Sequence, residues 1–210
     1  MTTDGLSPFT VLAFLGGVLV AVVLAVGYVL ARITGRQPLA KAALVVGAAG
    51  AGVYVLLLGI ASVASRDRVL APGEEKHICE VDCHLAYSVA GLKTGPGTSG
   101  TTRYTFTVKV RFDEETISSR RPRDMALSPN SRYVALVDAA GNQYPGSTDG
   151  LKQRLIPGES YTTDIAFDLP TGAEGRRLIL RNNDFETHLV IGHENSIGHG
   201  QTTFALARNP

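Results

Sequence analysis

Seven side chains capable of metal ligation or thiol chemistry fall in two short windows of the chain. His77, Cys79, Cys83 and His84 make the first window, and His188, His193 and His199 make the second. Together they are all five histidines and both cysteines of the 210 residues. Thiolate and imidazole are donors that zinc and copper accept, so a Cu or Zn site is one reading. A disulfide between Cys79 and Cys83 is a second, where the compartment is oxidising. Four residues of regular strand separate Cα atoms by about 13 Å, and a disulfide needs them within ~7 Å. A bridge therefore requires a turn at Glu80-Val81-Asp82. Two inert core thiols are the third reading, and a lone pair of cysteines does not choose among the three.

Named redox motifs fit less well. The Cys-x-x-x-Cys spacing resembles the dinuclear copper loop of haem-copper oxidase subunit II. That loop continues with a His and a Met at the positions held here by Tyr87 and Ala90. Cys79 to His84 also resembles a c-type haem site with one residue too many between the cysteines. Met1 and Met125 are the only methionines, which leaves few axial ligands. Ser196, in His193-Glu194-Asn195-Ser196, lacks the strand-turn-helix context of a nucleophile elbow. The flanking Gly192 and Gly198 instead suggest a hairpin tip. Arg120, Arg121 and Arg123 form a basic knot beside Pro122 that suits lipid headgroups or an acidic partner, or is a solvated loop. There is no Gly-rich phosphate cradle and no basic-aromatic surface for nucleic acid. The formal net charge of +1 provides no global field for either.

The elements that must position these residues divide sharply by composition. Phe9 to Ala31 and Ala42 to Ser65 contain no charged residue. Each run is long enough to cross a hydrocarbon core as a helix, which takes about 20 apolar residues. A cleaved signal peptide needs a basic start and a short apolar stretch. Here the first residues carry Asp4 and no Lys or Arg, and the run is longer. The connecting loop holds Arg32, Arg36 and Lys41 with Gly35 and Pro38. The positive-inside rule puts it in the cytoplasm, and the N-terminus and everything after Ser65 outside. Small residues recur at helical spacing: Ala13, Gly17, Ala21 and Ala25 on one helix, and Ala43, Gly47 and Ala51 on the other. Such stripes let helices approach closely in lipid, either with each other or with helices of a further subunit. Neither run carries an ionisable side chain for a proton or ion path.

Beyond a linker at 66–75, the pattern changes to period two. Tyr104 to Phe112 places Tyr104, Phe106, Val108, Val110 and Phe112 on one face, the mark of a half-buried strand. Tyr133 to Asp138 runs through Ala139-Ala140-Gly141-Asn142 into Gln143-Tyr144 as a hairpin. Strands are expected at Tyr161 to Leu169, Leu178 to Leu180, His188 to Ile191 and Thr202 to Leu206, with one or two more in Ile78 to Leu92. About seven short strands with regular turns predict an antiparallel sandwich over 76–210. If its first and last strands run side by side, the two Cys/His windows meet.

Three stretches carry a resemblance: HICEVDCHLAYSV (His77 to Val89), IPGESYTTDIAFDLP (Ile156 to Pro170) and LVIGHENSIGHGQTTFAL (Leu189 to Leu206). They resemble a group of uncharacterised bacterial proteins with N-terminal membrane helices and an extracytoplasmic immunoglobulin-like domain. The resemblance implies that fold and no activity. The fold class expected is thus a two-helix transmembrane hairpin (1–65) plus an all-β immunoglobulin-like antiparallel sandwich. The plan is similar to oxidase subunit II in architecture alone. With no catalytic constellation, the expectation is a non-enzymatic accessory subunit. It would lie in a bacterial inner membrane, beside integral subunits of a respiratory or photosynthetic electron-transfer complex, with its sandwich in the periplasm. A Cu- or Zn-binding or redox protein and an envelope ligand-binding or sensor domain are the alternatives.

Overall fold

The computed structural model describes residues 8–78, 84–117 and 122–206. Helix α1 spans Pro8–Ile33 and α2 spans Gln37–Ala64. Both are long and apolar enough to cross a membrane. The turn between them uses Gly35 at φ 73°, a left-handed conformation that costs glycine nothing. α2 begins well before the uncharged run expected at Ala42. Pro38 lies in its first turn, where a missing N–H is harmless, and Lys41 is accommodated one turn further on.

Among the described residues nine strands follow: β1 (Arg68–Leu70), β2 (Lys76–Ile78), β3 (Leu85–Pro96), β4 (Thr101–Phe112), β5 (Arg132–Asp138), β6 (Gln143–Pro145), β7 (Ser160–Pro170), β8 (Gly175–Asn182) and β9 (Thr202–Ala205). They form a sandwich of two sheets, in the orders β1-β9-β8-β5-β6 and β2-β3-β4-β7. The expected linker therefore contributes a strand. β1 pairs with β9 in parallel, Val69 opposite Thr203, so the sandwich is not wholly antiparallel. The expected strand at His188 to Ile191 is absent. The chain forms a 3-10 turn at Phe185–Leu189 and then a series of tight turns.

The core is assembled from the alternation read in β4. Tyr104, Phe106, Val108, Val110 and Phe112 are buried, and they share one cluster with Tyr87, Leu136, Leu178 and Phe204. Phe106 meets Phe167 edge-on with ring centroids 5.7 Å apart, a favoured aromatic geometry. Two buried cations link the sheets. Lys76 of β2 donates to the Leu180 carbonyl at 2.8 Å and the Thr202 carbonyl at 2.9 Å. Arg132 of β5 donates to the Tyr87 hydroxyl of β3 at 3.0 Å and lies over its ring. Pairing a buried charge with polar groups is what makes its burial tolerable.

The chain divides into two compact units. Among the described residues, one comprises Asp67–Thr187 with 200–206, and the other comprises 8–66 with His188–His199. His188–His199, part of the connection between β8 and β9, thus belongs with the helices rather than with the sandwich.

Candidate functional site

In the sandwich, the first window is built around β2. Ile78 pairs with Leu85 across the antiparallel β2–β3 contact. Cys79 and Cys83, with the bridge, free-thiol and metal readings weighed for them, lie outside the described residues. His77 is 5% exposed, and its Nε2 lies 2.9 Å from Asp113 Oδ2. Its Nδ1 is buried with no hydrogen-bond partner. Asp113 Oδ1 accepts from Arg111 Nη1 at 3.2 Å and from the Glu115 amide at 3.2 Å. Arg111 in turn grips Glu75 through two bonds of 2.9 and 2.6 Å. Next to this network, Thr116 donates to the Asp113 carbonyl at 2.8 Å, so the His84 Nδ1–H donates to the Thr116 hydroxyl at 2.7 Å. The His84 ring stacks on Phe112.

The electrostatics follow from these contacts. Burial pushes the Asp113 carboxyl upward, but the hydrogen bonds from His77, the Glu115 amide and Arg111 outweigh it and leave it below its usual value. The Glu75 carboxyl is also held low, chiefly by the hydrogen bond from Arg111. The Arg111 guanidinium is held more firmly protonated by the same bond. In the described chain, Asp113 is therefore an ionised acceptor that fixes His77, Arg111 and the following turn at once.

The two Cys/His windows are not joined through neighbouring strands. The strands beside β9 are β1 and β8, whereas His77 lies on β2 in the opposite sheet. His188, His193 and His199 belong to the helical unit. Among the described residues no three His, Cys, Asp or Glu side chains cluster as a metal site. Ser196 has a structural part: its hydroxyl donates to the Val190 carbonyl, while His193 Nδ1 accepts from the Asn195 amide at 2.9 Å. Of the arginine knot, Arg120 and Arg121 lie outside the described residues. Arg123 is exposed, 3.4 Å from Glu114.

The helical unit contains a second candidate. Ala40, Ala43, Gly47, Tyr54, Leu58, Ala61 and Ser62 are the less exposed positions of α2, and the first six are spaced by three, four and seven as in a helix–helix seam. Phe14, Leu24, Tyr28 and Ala31 play that part on α1. Midway along the seam an apolar groove of about 420 Å³ opens, lined by Gly17, Ala21, Leu24, Gly47, Gly50 and Ala51 among others. Small side chains on both helices leave the space between them unfilled. Four of the seven small residues singled out in the sequence thus line the groove. Ala13 and Ala25 are exposed, and Ala43 lies in the seam.

Sequence reasoning passed over Lys76, Asp113 and Arg132. Asp113 had a signal, because Asp before Glu-Glu-Thr is a helix N-cap pattern and its side chain caps the turn Glu114–Thr116. Lys76 had none, since a lone lysine in a polar stretch ordinarily reads as solvated.

No family model matches the chain, and no curated protein sequence matches it. Among solved structures it is similar to MPT63, a secreted protein of Mycobacterium tuberculosis. The two are 15% identical with a TM-score of 0.44 over 68% of this chain and 99% of that one.

Proposed function

We propose that this chain is a non-enzymatic accessory subunit of a larger inner-membrane complex, of the respiratory or photosynthetic electron-transfer type. In this reading α1 and α2 form a membrane hairpin with its loop in the cytoplasm, and an immunoglobulin-like sandwich braces the complex on the periplasmic face. The groove in the α1–α2 seam is the observation that carries the proposal. A bare two-helix anchor gains by closing its seam, whereas a groove lined by Gly17, Ala21, Gly47, Gly50 and Ala51 accepts a helix of a neighbouring subunit at close range. Parallel closure of the sandwich by β1 on β9 supports the immunoglobulin-like assignment. The test is purification from native membranes in mild detergent through a C-terminal tag, for the wild type and for Gly17→Leu/Gly50→Leu. A defined set of integral subunits at near-stoichiometric amounts, released by the double substitution, supports the role. Elution of the wild type as a lone particle refutes it.

A second reading, a periplasmic Cu or Zn protein, is favoured by one feature. The buried Nδ1 of His77 has no partner and lies two residues before Cys79. Protein purified without chelator would then carry stoichiometric metal. Metal-free protein with Cys79 and Cys83 bridged would eliminate that reading.

A further inference from the structure

The segment His188–His199 joins two strands of the sandwich yet packs in the helical unit. Its backbone is tied to α2 by two side-chain hydroxyls. Tyr54 donates to the Leu189 carbonyl, and Ser62 donates to the Ile197 carbonyl at 2.6 Å. Gly198 lies against Ser62 at φ 74°, where a Cβ would come within 3.6 Å of the serine Cβ. Further bonds close within the segment. The His193, Ser196 and Ile197 amides donate to the Val190, His193 and His188 carbonyls, and the Ser196 hydroxyl also caps Val190. His193, Asn195 and Ser196 are buried, whereas Leu189 and Ile197 are 39% and 64% exposed. Glu194 is half-buried and has a partner of its own.

The depth of these contacts gives them meaning. α2 has 28 residues, about 42 Å at 1.5 Å per residue. A hydrocarbon slab of ~30 Å includes Tyr54 wherever it is placed along that length. If Lys41 marks the inner boundary, Tyr54 lies about 20 Å along the slab, some 10 Å short of its outer boundary. That is further than a tyrosine side chain reaches, so the Leu189 carbonyl it holds is also below the boundary. Irregular backbone is tolerated at that depth only when its polar groups are satisfied within the protein. The hydroxyl caps and internal bonds meet that requirement for the His188, Leu189, Val190, His193 and Ile197 carbonyls, and the two most exposed side chains of the segment, Leu189 and Ile197, are apolar. The same part of α2 carries exposed Leu56, Leu57, Ile60 and Val63, so the apolar surface is continuous in kind.

We infer that His188–His199 is a re-entrant loop that enters the outer leaflet beside α2, with Leu189 and Ile197 against lipid acyl chains. The inference rests on the reading of α1 and α2 as membrane-spanning. The chain contains no tryptophan, so each introduced one is a unique probe. Full-length protein carrying Ile197→Trp, Leu189→Trp, Leu19→Trp or Ala140→Trp would be reconstituted into phosphatidylcholine vesicles whose acyl chains are brominated near the headgroup or near the chain end. Leu19 is an exposed position midway along α1, and Ala140 lies in the exposed β5–β6 turn. Emission at 197 and 189 should be lost to bromine near the headgroup, emission at 19 to bromine near the chain end, and emission at 140 to neither. If 19 is quenched while 189 and 197 behave like 140, the loop is outside the bilayer and the inference is overturned while the anchor stands. If 19 also behaves like 140, the helices do not span and both fall.

Discussion

Replacing Asp113 with alanine should destabilise the sandwich more than any single exposed charge substitution, and the structure gives the scale. The carboxylate bonds His77 Nε2 at 2.9 Å with both side chains about 95% buried, and a hydrogen bond to a charged group contributes about 1.5–3 kcal/mol. Its removal leaves both nitrogens of a buried imidazole without a partner, which adds a desolvation cost of about 1–3 kcal/mol. The cap on the Glu115 amide contributes roughly 1 kcal/mol. Arg111 adds little, because it keeps Glu75 and is 30% exposed. The contributions overlap, and the loss of one partner of a buried pair typically costs about 3–5 kcal/mol. For a domain of this size that lowers Tm by roughly 10–15 °C. Unfolding of full-length protein in detergent can be followed by near-ultraviolet dichroism of tyrosine, since five of the seven tyrosines (87, 104, 133, 144 and 161) lie in the sandwich. Asp168→Ala, which breaks the exposed pair with Arg103, is the control and should leave Tm nearly unchanged. A loss below about 1 kcal/mol for Asp113→Ala, the scale of a surface pair, would refute the argument that this carboxylate organises the network.

Other outcomes follow from single contacts. Lys76→Met should cost about 1–3 kcal/mol in the same assay, because the Leu180 and Thr202 carbonyls lose a buried donor. Gly146→Ala should destabilise by about 1–3 kcal/mol through overpacking, as its Cβ would stand 2.6 Å from the buried Phe167 ring. Glu75 and Asp113 are both held below their ordinary values, so their stabilisation is present above the carboxylate range of about 4 and is lost as pH falls through their folded values. An acid titration should therefore unfold wild-type sandwich with a steeper pH dependence than Asp113→Ala. A pH-independent Tm between neutrality and pH ~3 would contradict that assignment.

The fold was legible wherever one periodicity dominated. β4 and β7 show strict alternation, and the helices show long uncharged runs. The start of α2 was misplaced because a charge-free criterion rejects Lys41, which helix geometry does not. β1 was invisible because Arg68-Val69-Leu70 has no pattern of its own and becomes a strand through its pairing with β9. The segment 188–199 misled for the opposite reason. Its apolar residues look like a strand next to a hairpin tip, yet hydroxyls of α2, more than 130 positions away in sequence, hold two of its carbonyls. The candidate site was half visible. The histidines stand out by type, but the carboxylate that fixes His77 and the groove left by small residues on two helices are properties of packing, which spacing along one chain does not contain.

The proposed anchor has both ends outside, and reporter topology in a bacterial inner membrane is its sharpest test. Alkaline phosphatase, active only in the periplasm, and green fluorescent protein, fluorescent only in the cytoplasm, would each be fused after Gly35 and after Pro210. Fluorescence without phosphatase activity is expected at Gly35, and phosphatase activity without fluorescence at Pro210. Fluorescence at Pro210, or phosphatase activity at Gly35, would contradict it.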